Sequence, residues 1–358
     1  MPPVPATTPT KNPTRVVIVD DSRVMRDIIC SALDQYDDIN VVGSACDPFE
    51  ARDVISETNP DVITLDVEMP NMGGLEFLRH IMAHRPTPVI MVSGRTRIGA
   101  DTTLKALQLG AFDFVTKPTS QAEWDTFEPR VRAKVIAAGQ SGNATGPRSL
   151  VPSVQSGTHR HSRRCELIAV GASTGGVTAI TTLIAQLPDS APPVVIVQHM
   201  PGAFISRFTD RLASASHKNI ALSQDGEVLS SGMIRLAPGQ GHLEVARQGI
   251  RLQTNIVDAP PVNNHRPSID TLFNSVAVSV GEFAFGIILT GMGSDGAEGL
   301  LKMQKRGAQC FGESRDSCVV YGMPKAANRL GAVNIEMGID ELALMLRNEF
   351  SHRSHIGL

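Results

Sequence analysis

Residues Glu166 to Gly176 read ELIAVGASTGG. An apolar run without an alternating polar position is what a strand covered on both faces requires, and here it passes straight into a turn of small residues. Helical spacing follows from about Val177 to Leu187, and PVVIVQH is a second apolar run. Strand, tight turn, helix and strand form the repeating unit of a parallel sheet layered between helices. Towards the C-terminus, MIRLAPGQGHLEVARQGIRLQT alternates around glycine turns, which predicts a hairpin inserted into the sheet domain. FGIILTG returns to a buried strand, and a helix is expected from about Gly296 to Arg306. Towards the N-terminus the same rhythm runs from Arg15: VVIVD, NVVGSA, VITLD, PVIMVSG and DFVTKP, separated by helical patterns near 22–33, 48–57, 75–84 and 99–109 and followed by one over 121–138. Two α/β domains are expected, each doubly wound. The Gly, Ser, Pro and Thr-rich stretch 139–164 reads as the linker between them.

Length agrees, because 358 residues exceed what one hydrophobic core of roughly 150 residues normally organises. A net charge of −3 supplies no electrostatic footprint for a polyanion, and 12 Phe, 2 Tyr and 1 Trp are too few for base-stacking platforms. Nucleic acid is therefore not an expected partner. The 5 cysteines lack CxxC spacing, which argues against a disulfide framework or a thiolate zinc site. The Pro/Thr-rich start has no signal-peptide core, and no run approaches the roughly 18 apolar residues of a membrane span. A cytoplasmic protein is expected, with a short disordered tail at 1–14, domains at 15–138 and 165–350, and a C-terminal tail at 351–358.

Chemistry on a parallel sheet sits beyond the carboxyl ends of its strands. In the first domain those ends carry Asp20 and Asp21, Asp66, Ser93 and Lys117. Singly, the acids read as helix caps and the lysine as a solvated charge. Together, three carboxylates at one sheet edge repel unless a hard cation such as Mg²⁺ joins them, and an Asp carboxylate is a competent nucleophile towards phosphorus. From Arg15 to Ala138 the chain resembles the receiver domain of two-component response regulators, a flavodoxin-like fold. The resemblance rests on the acidic pair, DVEMP around Asp66, the hydroxyl of Ser93 and the lysine of DFVTKP. It implies that Asp66 is the phosphoacceptor, that Asp20, Asp21 and Asp66 hold Mg²⁺, and that Lys117 contacts the phosphoryl group. Ser93 and Phe114 would be the switch pair. One departure is Met72-Gly73-Gly74, where the family usually has Asp after the Met.

The second domain's GASTGG matches the G-x-S-x-G elbow, a strand-to-helix turn that exposes a serine hydroxyl. Ser173 could instead cap the helix; a phosphate cradle is disfavoured because the GK[ST] continuation is missing. A serine needs an oriented base. His199 follows VVIVQ and Asp295 follows GIILTG, again at strand ends, although alone each reads as a structural histidine and a helix N-cap. The order Ser, His, Asp differs from the Ser, Asp, His of ordinary α/β-hydrolases.

At this point GASTGG, QHMPGAF, APGQGHLEV, APPVNNHRPSIDTLF, ILTGMGSDGAEGL and SCVVYGMPKAA resemble the chemotaxis protein-glutamate methylesterases, the CheB family. The resemblance implies a parallel-sheet α/β methylesterase domain with a small antiparallel hairpin. It also implies a serine hydrolase that removes methyl groups from glutamate esters of chemoreceptors as methanol, and deamidates glutamines. Ser173 would be the nucleophile, His199 the proton shuttle and Asp295 its orienter. The backbone N–H of Met292 would donate to the oxyanion, and Thr174 would support His199. Asn263, Asn264, His265 and Arg266 would line the substrate pocket, although the same run also reads as a turn that satisfies its own backbone. No cofactor is expected for ester hydrolysis. The implied partners are methylated chemoreceptors and a chemotaxis histidine kinase, with membranes approached only through the receptors. In GESRDSCVVYG the chain departs from the Gln-Asp/Asn-Glu that often opens this segment in the family. The competing expectation is a response regulator with a transcriptional or non-catalytic receptor-binding output domain.

Overall fold

Strand β1 (Thr14–Val19) is buried along its last four residues, as an apolar strand between two helical layers must be. After it come α1 (Arg23–Asp34), β2 (Ile39–Ala45), α2 (Pro48–Thr58), β3 (Val62–Asp66), α3 (Gly74–His84), β4 (Val89–Ser93), α4 (Arg97–Gln108), β5 (Asp113–Thr116) and α5 (Gln121–Ser141). The five strands pair in parallel in the order β2-β1-β3-β4-β5. That is the flavodoxin-like order, and its direction reverses between β1 and β3, which opens a crevice beyond their carboxyl ends. The side chains of Ser22, Asp47 and Thr96 cap α1, α2 and α4.

This computed structural model describes residues 12–141, apart from 71 and 95, and 164–351. The chain divides into two compact units, 1–148 and 149–358. Most of the expected linker, and most of both expected tails, lie outside the described residues. Helix α5 continues three residues past the expected end at Ala138, because Gly139 lies close against Thr14 and Ser141 Oγ donates to the Ala138 carbonyl at 2.7 Å.

The second unit begins with β6 (Leu167–Ala172), α6 (Gly176–Gln186), β7 (Val194–Gln198), α7 (Gly202–Ser216), β8 (Asn219–Leu222) and β9 (Met233–Leu236). The hairpin β10 (His242–Gln248) and β11 (Arg251–Val257) follows, then α8 (Ile269–Ser279), β12 (Ala284–Ile288), α9 (Ala297–Lys305), β13 (Gln309–Glu313), α10 (Met323–Arg329), β14 (Ile335–Met337) and α11 (Ile339–Ser351). Seven strands form one sheet, β14-β13-β12-β6-β7-β9-β8, with every pair parallel. β10 and β11 form a separate antiparallel pair. MIRL, expected within the inserted hairpin, is instead β9 of the main sheet, and all four of its residues are buried. Helix α8 packs its buried Leu272, Phe273 and Val276 into a core shared with Leu300 and Met303 of α9. Each such side chain contributes roughly 1.5–3 kcal/mol on burial. No helix among the described residues is long and apolar enough to cross a membrane.

Candidate active site and phosphoacceptor site

Strand β6 lies between β7 and β12. The chain passes from β6 to β7 on one side and returns later to β12 on the other, so the sheet's switch point falls at β6. Ser173, His199 and Asp295 follow β6, β7 and β12. Ala172 and Gln198 are register partners, so Ser173 and His199 stand side by side on strands about 4.8 Å apart. The elbow is held from several sides. Ser173 N–H donates to the Thr290 carbonyl at 3.0 Å, and the Ser173 carbonyl accepts from Gly176 N–H and from Gln198 Nε2, each at 2.8 Å. Gly175 supplies the left-handed turn at φ +81 and is itself the N-cap of α6. Ser173 therefore does not cap this helix.

His199 Nε2 lies 2.8 Å from Asp295 Oδ2, with both side chains buried. His199 Nδ1 is buried without a hydrogen-bond partner among the described residues. The nitrogen left to take up a serine proton is therefore Nδ1, the reverse of the assignment in the chymotrypsin template. Asp295 does not cap α9, whose N-cap is Gly296. Its carboxylate turns to the start of α8 instead and accepts from Ile269 N–H at 2.7 Å, Asp270 N–H at 3.3 Å, Ser268 Oγ at 2.8 Å and Asn263 Nδ2 at 2.9 Å. Burial alone would raise its pKa; His199, Asn263 and the Ile269 N–H outweigh burial and hold the carboxyl well below the ordinary range.

Met292 follows Gly291, whose carbonyl accepts from Gly322 N–H at 3.1 Å and Met323 N–H at 2.8 Å at the start of α10. In a trans peptide N–H and C=O point oppositely, so this anchoring turns the Met292 N–H away from α10. A Cβ on Gly291 would lie 2.7 Å from Ser173 Cβ, so only glycine lets this loop approach Ser173 so closely. Behind the loop, the buried Glu313 accepts from Thr290 N–H and Ser317 Oγ, each at 2.8 Å. The departure at 312–314 thus places a carboxylate under the loop that leads to Met292. Thr174 is buried, and its carbonyl accepts from Thr290 Oγ1 at 2.9 Å.

The run 263–266 is both a turn and part of the site. Val262 and His265 exchange two backbone hydrogen bonds around Asn263 and Asn264, which both have positive φ. His265 stacks on His199, ring centroids 3.7 Å apart and 6° from parallel. Arg266 pairs with Asp258 at 2.7 Å, and Asn264 is exposed. Gln198, Ser268, Asp270 and Glu313 carried no role in the sequence, and Asn263 was expected only as part of the pocket-lining run. Asn263 stood inside a quoted motif, and Ser268 carried the signal of a helix N-cap.

In the first unit, Asp20, Asp21 and Asp66 each offer a carboxylate oxygen within 4.8 Å of the others. Oxygen donors at this spacing fit a hard cation such as Mg²⁺. Asp20 does not cap α1; that is Ser22, whose N–H donates to Asp20 Oδ1 at 2.9 Å. Lys117 Nζ bridges Asp20 Oδ2 at 3.0 Å and Asp66 Oδ2 at 2.8 Å. Burial pushes the Asp66 carboxyl up to about 6, with Asp20 adding to the rise and Lys117 opposing it. Burial alone would lower the Lys117 pKa, but its hydrogen bonds and charge pairing with Asp66 and Asp20 raise it. Ser93 is fully buried at the end of β4 and Phe114 is buried in β5. Gly74 is required beside Asp66, because a Cβ there would lie 1.9 Å from the Asp66 carbonyl oxygen.

Residues 168–346 match the CheB methylesterase family model, and residues 16–126 match that of the response regulator receiver domain. The chain is 46% identical over 329 residues to protein-glutamate methylesterase/protein-glutamine glutaminase 1 of Caulobacter vibrioides, covering 92% of this chain and 95% of that one. It is 43% identical over 340 residues to the protein-glutamate methylesterase/protein-glutamine glutaminase of Salmonella typhimurium, covering 94% and 97%. Among solved structures, the Thermotoga maritima CheB methylesterase catalytic domain superposes with a TM-score of 0.50 at 31% identity, covering 51% of this chain and 98% of that one. These similarities favour a catalytic output domain over a transcriptional or purely receptor-binding one.

Proposed function

The chain belongs to the CheB methylesterase family and carries a response regulator receiver domain ahead of its catalytic domain, and from that premise we propose that it hydrolyses glutamate methyl esters on chemoreceptors under control of phosphorylation at Asp66. The observation that carries the reading is the buried His199–Asp295 pair beside the Ser173 elbow at the sheet's switch point. Ser173 Oγ attacks the ester carbonyl carbon as His199 Nδ1 takes its proton. Asp295 holds the imidazole and stabilises its cationic form. The Met292 N–H donates to the oxyanion, in a loop fixed before the reaction begins. Collapse of the tetrahedral intermediate breaks the C–O bond, and methanol leaves with the proton from His199. Water then attacks the acyl-enzyme by the same route, releasing the glutamate carboxylate and restoring Ser173. Glutamine deamidation follows the same steps with ammonia as the leaving group. His265 and Arg266 contribute to the substrate-facing rim, and Thr174 supports His199 from the elbow.

In the receiver domain, Asp20, Asp21 and Asp66 would hold Mg²⁺, which when bound neutralises charge on a phosphoryl group. Asp66 is the nucleophile for a phosphoryl group donated by a histidine kinase. Lys117 moves from its bridge between carboxylates to the phosphoryl oxygens, and Ser93 donates its hydroxyl to them. Phe114 completes the switch. The reading places the protein in the cytoplasm, facing the receptors' aqueous domains. Methanol release from methylated receptor, with and without a small-molecule phosphodonor, tests it. Release should depend on Ser173 and rise with the phosphodonor; release that survives Ser173→Ala would overturn the nucleophile assignment.

A further inference from the structure

Two buried carboxylates face each other across the packed N-termini of α8 and α9. Asp295, which precedes α9, accepts from the first N–H groups of α8. Asp270, in the first turn of α8, returns the exchange: its Oδ1 accepts from Gly299 N–H in the first turn of α9 at 2.6 Å. The first turn of each helix thus donates to an acid at the start of the other. A single amide joins them, since Asn263 Nδ2 donates to Asp270 Oδ2 at 2.7 Å and to Asp295 Oδ1 at 2.9 Å. An amide nitrogen has two hydrogens, and this geometry uses one for each acid.

We infer that Asn263 and Asp270 are positioning residues of the hydrolase: together they orient the Asp295 carboxylate, and through it the His199 ring, for proton transfer. The inference rests on the proposed esterase chemistry and deepens it. Asp295 Oδ2 faces His199 and Ile269 N–H, so the torsion of its carboxylate is set by what Oδ1 meets: Asn263, Ser268 and Asp270 N–H. Asp270 in turn fixes which way the Asn263 amide points. If the amide flipped, its oxygen would face two carboxylates at once. The remaining titratable neighbours are His265, stacked on His199, and His242, whose Nδ1 accepts from Ser268 N–H at 3.1 Å while Nε2 meets the Pro260 carbonyl at 3.0 Å. Those two bonds hold His242 as the neutral Nε2–H tautomer.

Asn263→Gly tests the side chain alone, because glycine accepts the backbone φ of +52 at this exposed turn. Freed of one donor, Asp295 stabilises the imidazolium more strongly, and His199 must lose its proton before it can act as a base. The variant should lose roughly 10- to 100-fold in kcat with little change in KM. The acid limb of its kcat–pH profile should move to higher pH. The downfield proton resonance of the His199–Asp295 hydrogen bond should also shift, a readout that requires no substrate. Asp270→Asn sets an amide donor against either the Asn263 amide or the Gly299 N–H, since the acid accepts from both. Its loss of kcat should not add to that of Asn263→Gly in the double variant, because both act through one link.

Parent protein that releases no methanol from methylated receptor would refute the esterase reading, while the resonance would still test the positioning. An active parent with an Asn263→Gly variant of unchanged kcat, acid limb and resonance would overturn the inference. So would a fall in kcat that merely follows a lowered unfolding midpoint, with limb and resonance unmoved. If Asp270→Asn does not fold, Asn263→Gly alone decides.

Discussion

Asp66 shows how one residue's surroundings set its chemistry. Its carboxyl is pushed from 3.8 up to about 6 by burial, with Asp20 adding to the rise and Lys117 opposing it. A raised carboxyl pKa favours the protonated fold. The stabilising contribution is complete below about pH 4 and is lost as pH rises through about 6, amounting to at most about 3 kcal/mol by pH 8. Metal-free protein should therefore lose receiver stability over this range more steeply than Asp66→Asn, as read by the receiver's unfolding midpoint; parallel curves would contradict the assignment. A divalent cation requires the ionised acid, so Mg²⁺ affinity should climb over the same interval. Gly291 makes a second residue-scale case. In Gly291→Ala the new Cβ would meet Ser173 Cβ at 2.7 Å and Met323 Sδ at 2.5 Å, which displaces the loop that carries Met292. Removing an oxyanion donor costs roughly 10²- to 10³-fold in kcat. Methanol release should fall by about that much while circular dichroism remains that of the parent.

At the scale of elements, α3 starts on Gly73, which has φ −68 and no side-chain cap, where Asp or Ser would satisfy an N–H of the first turn. The backbone there suits any residue, and an added Cβ would meet nothing within 4 Å. Gly73→Asp should raise the receiver's stability by about 0.5 kcal/mol and leave the extent of Asp66 phosphorylation unchanged, as measured by denaturant unfolding and phosphate incorporation. The same scale explains what could be read from the sequence. The strands β1, β3, β4, β6, β7 and β12 were legible because continuous apolar runs ending in chemistry-bearing residues have few other readings. β9 was not, because four residues between glycine turns look alike in a hairpin and in a short parallel strand; only its pairing with β7 and β8 separates the two. Asp295 was legible as a strand-end acid, but its capping of α8 was not. That bond joins residues 26 apart, and neither local spacing nor periodicity encodes which helix a carboxylate will meet.

At the scale of the whole molecule, two compact units share one chain, each with its own parallel sheet and a candidate site at its switch point. On the proposed reading, phosphorylation makes the Asp66 side chain more negative by about one charge, and Ser173, His199 and Asp295 of the second unit carry out the ester chemistry. We propose that the coupling is restraint: the unphosphorylated receiver holds the esterase back, and phosphorylation at Asp66 releases it. A two-state device of this kind changes rate without changing the active-site residues. Deleting residues 1–138 should therefore raise basal methanol release above that of the unphosphorylated full chain, and should abolish any response to phosphodonor. Asp66→Asn in the full chain should remain at the low basal rate with phosphodonor present. A truncated protein no faster than the unphosphorylated full chain would rule out restraint and leave activation by the phosphorylated receiver as the coupling between the two halves.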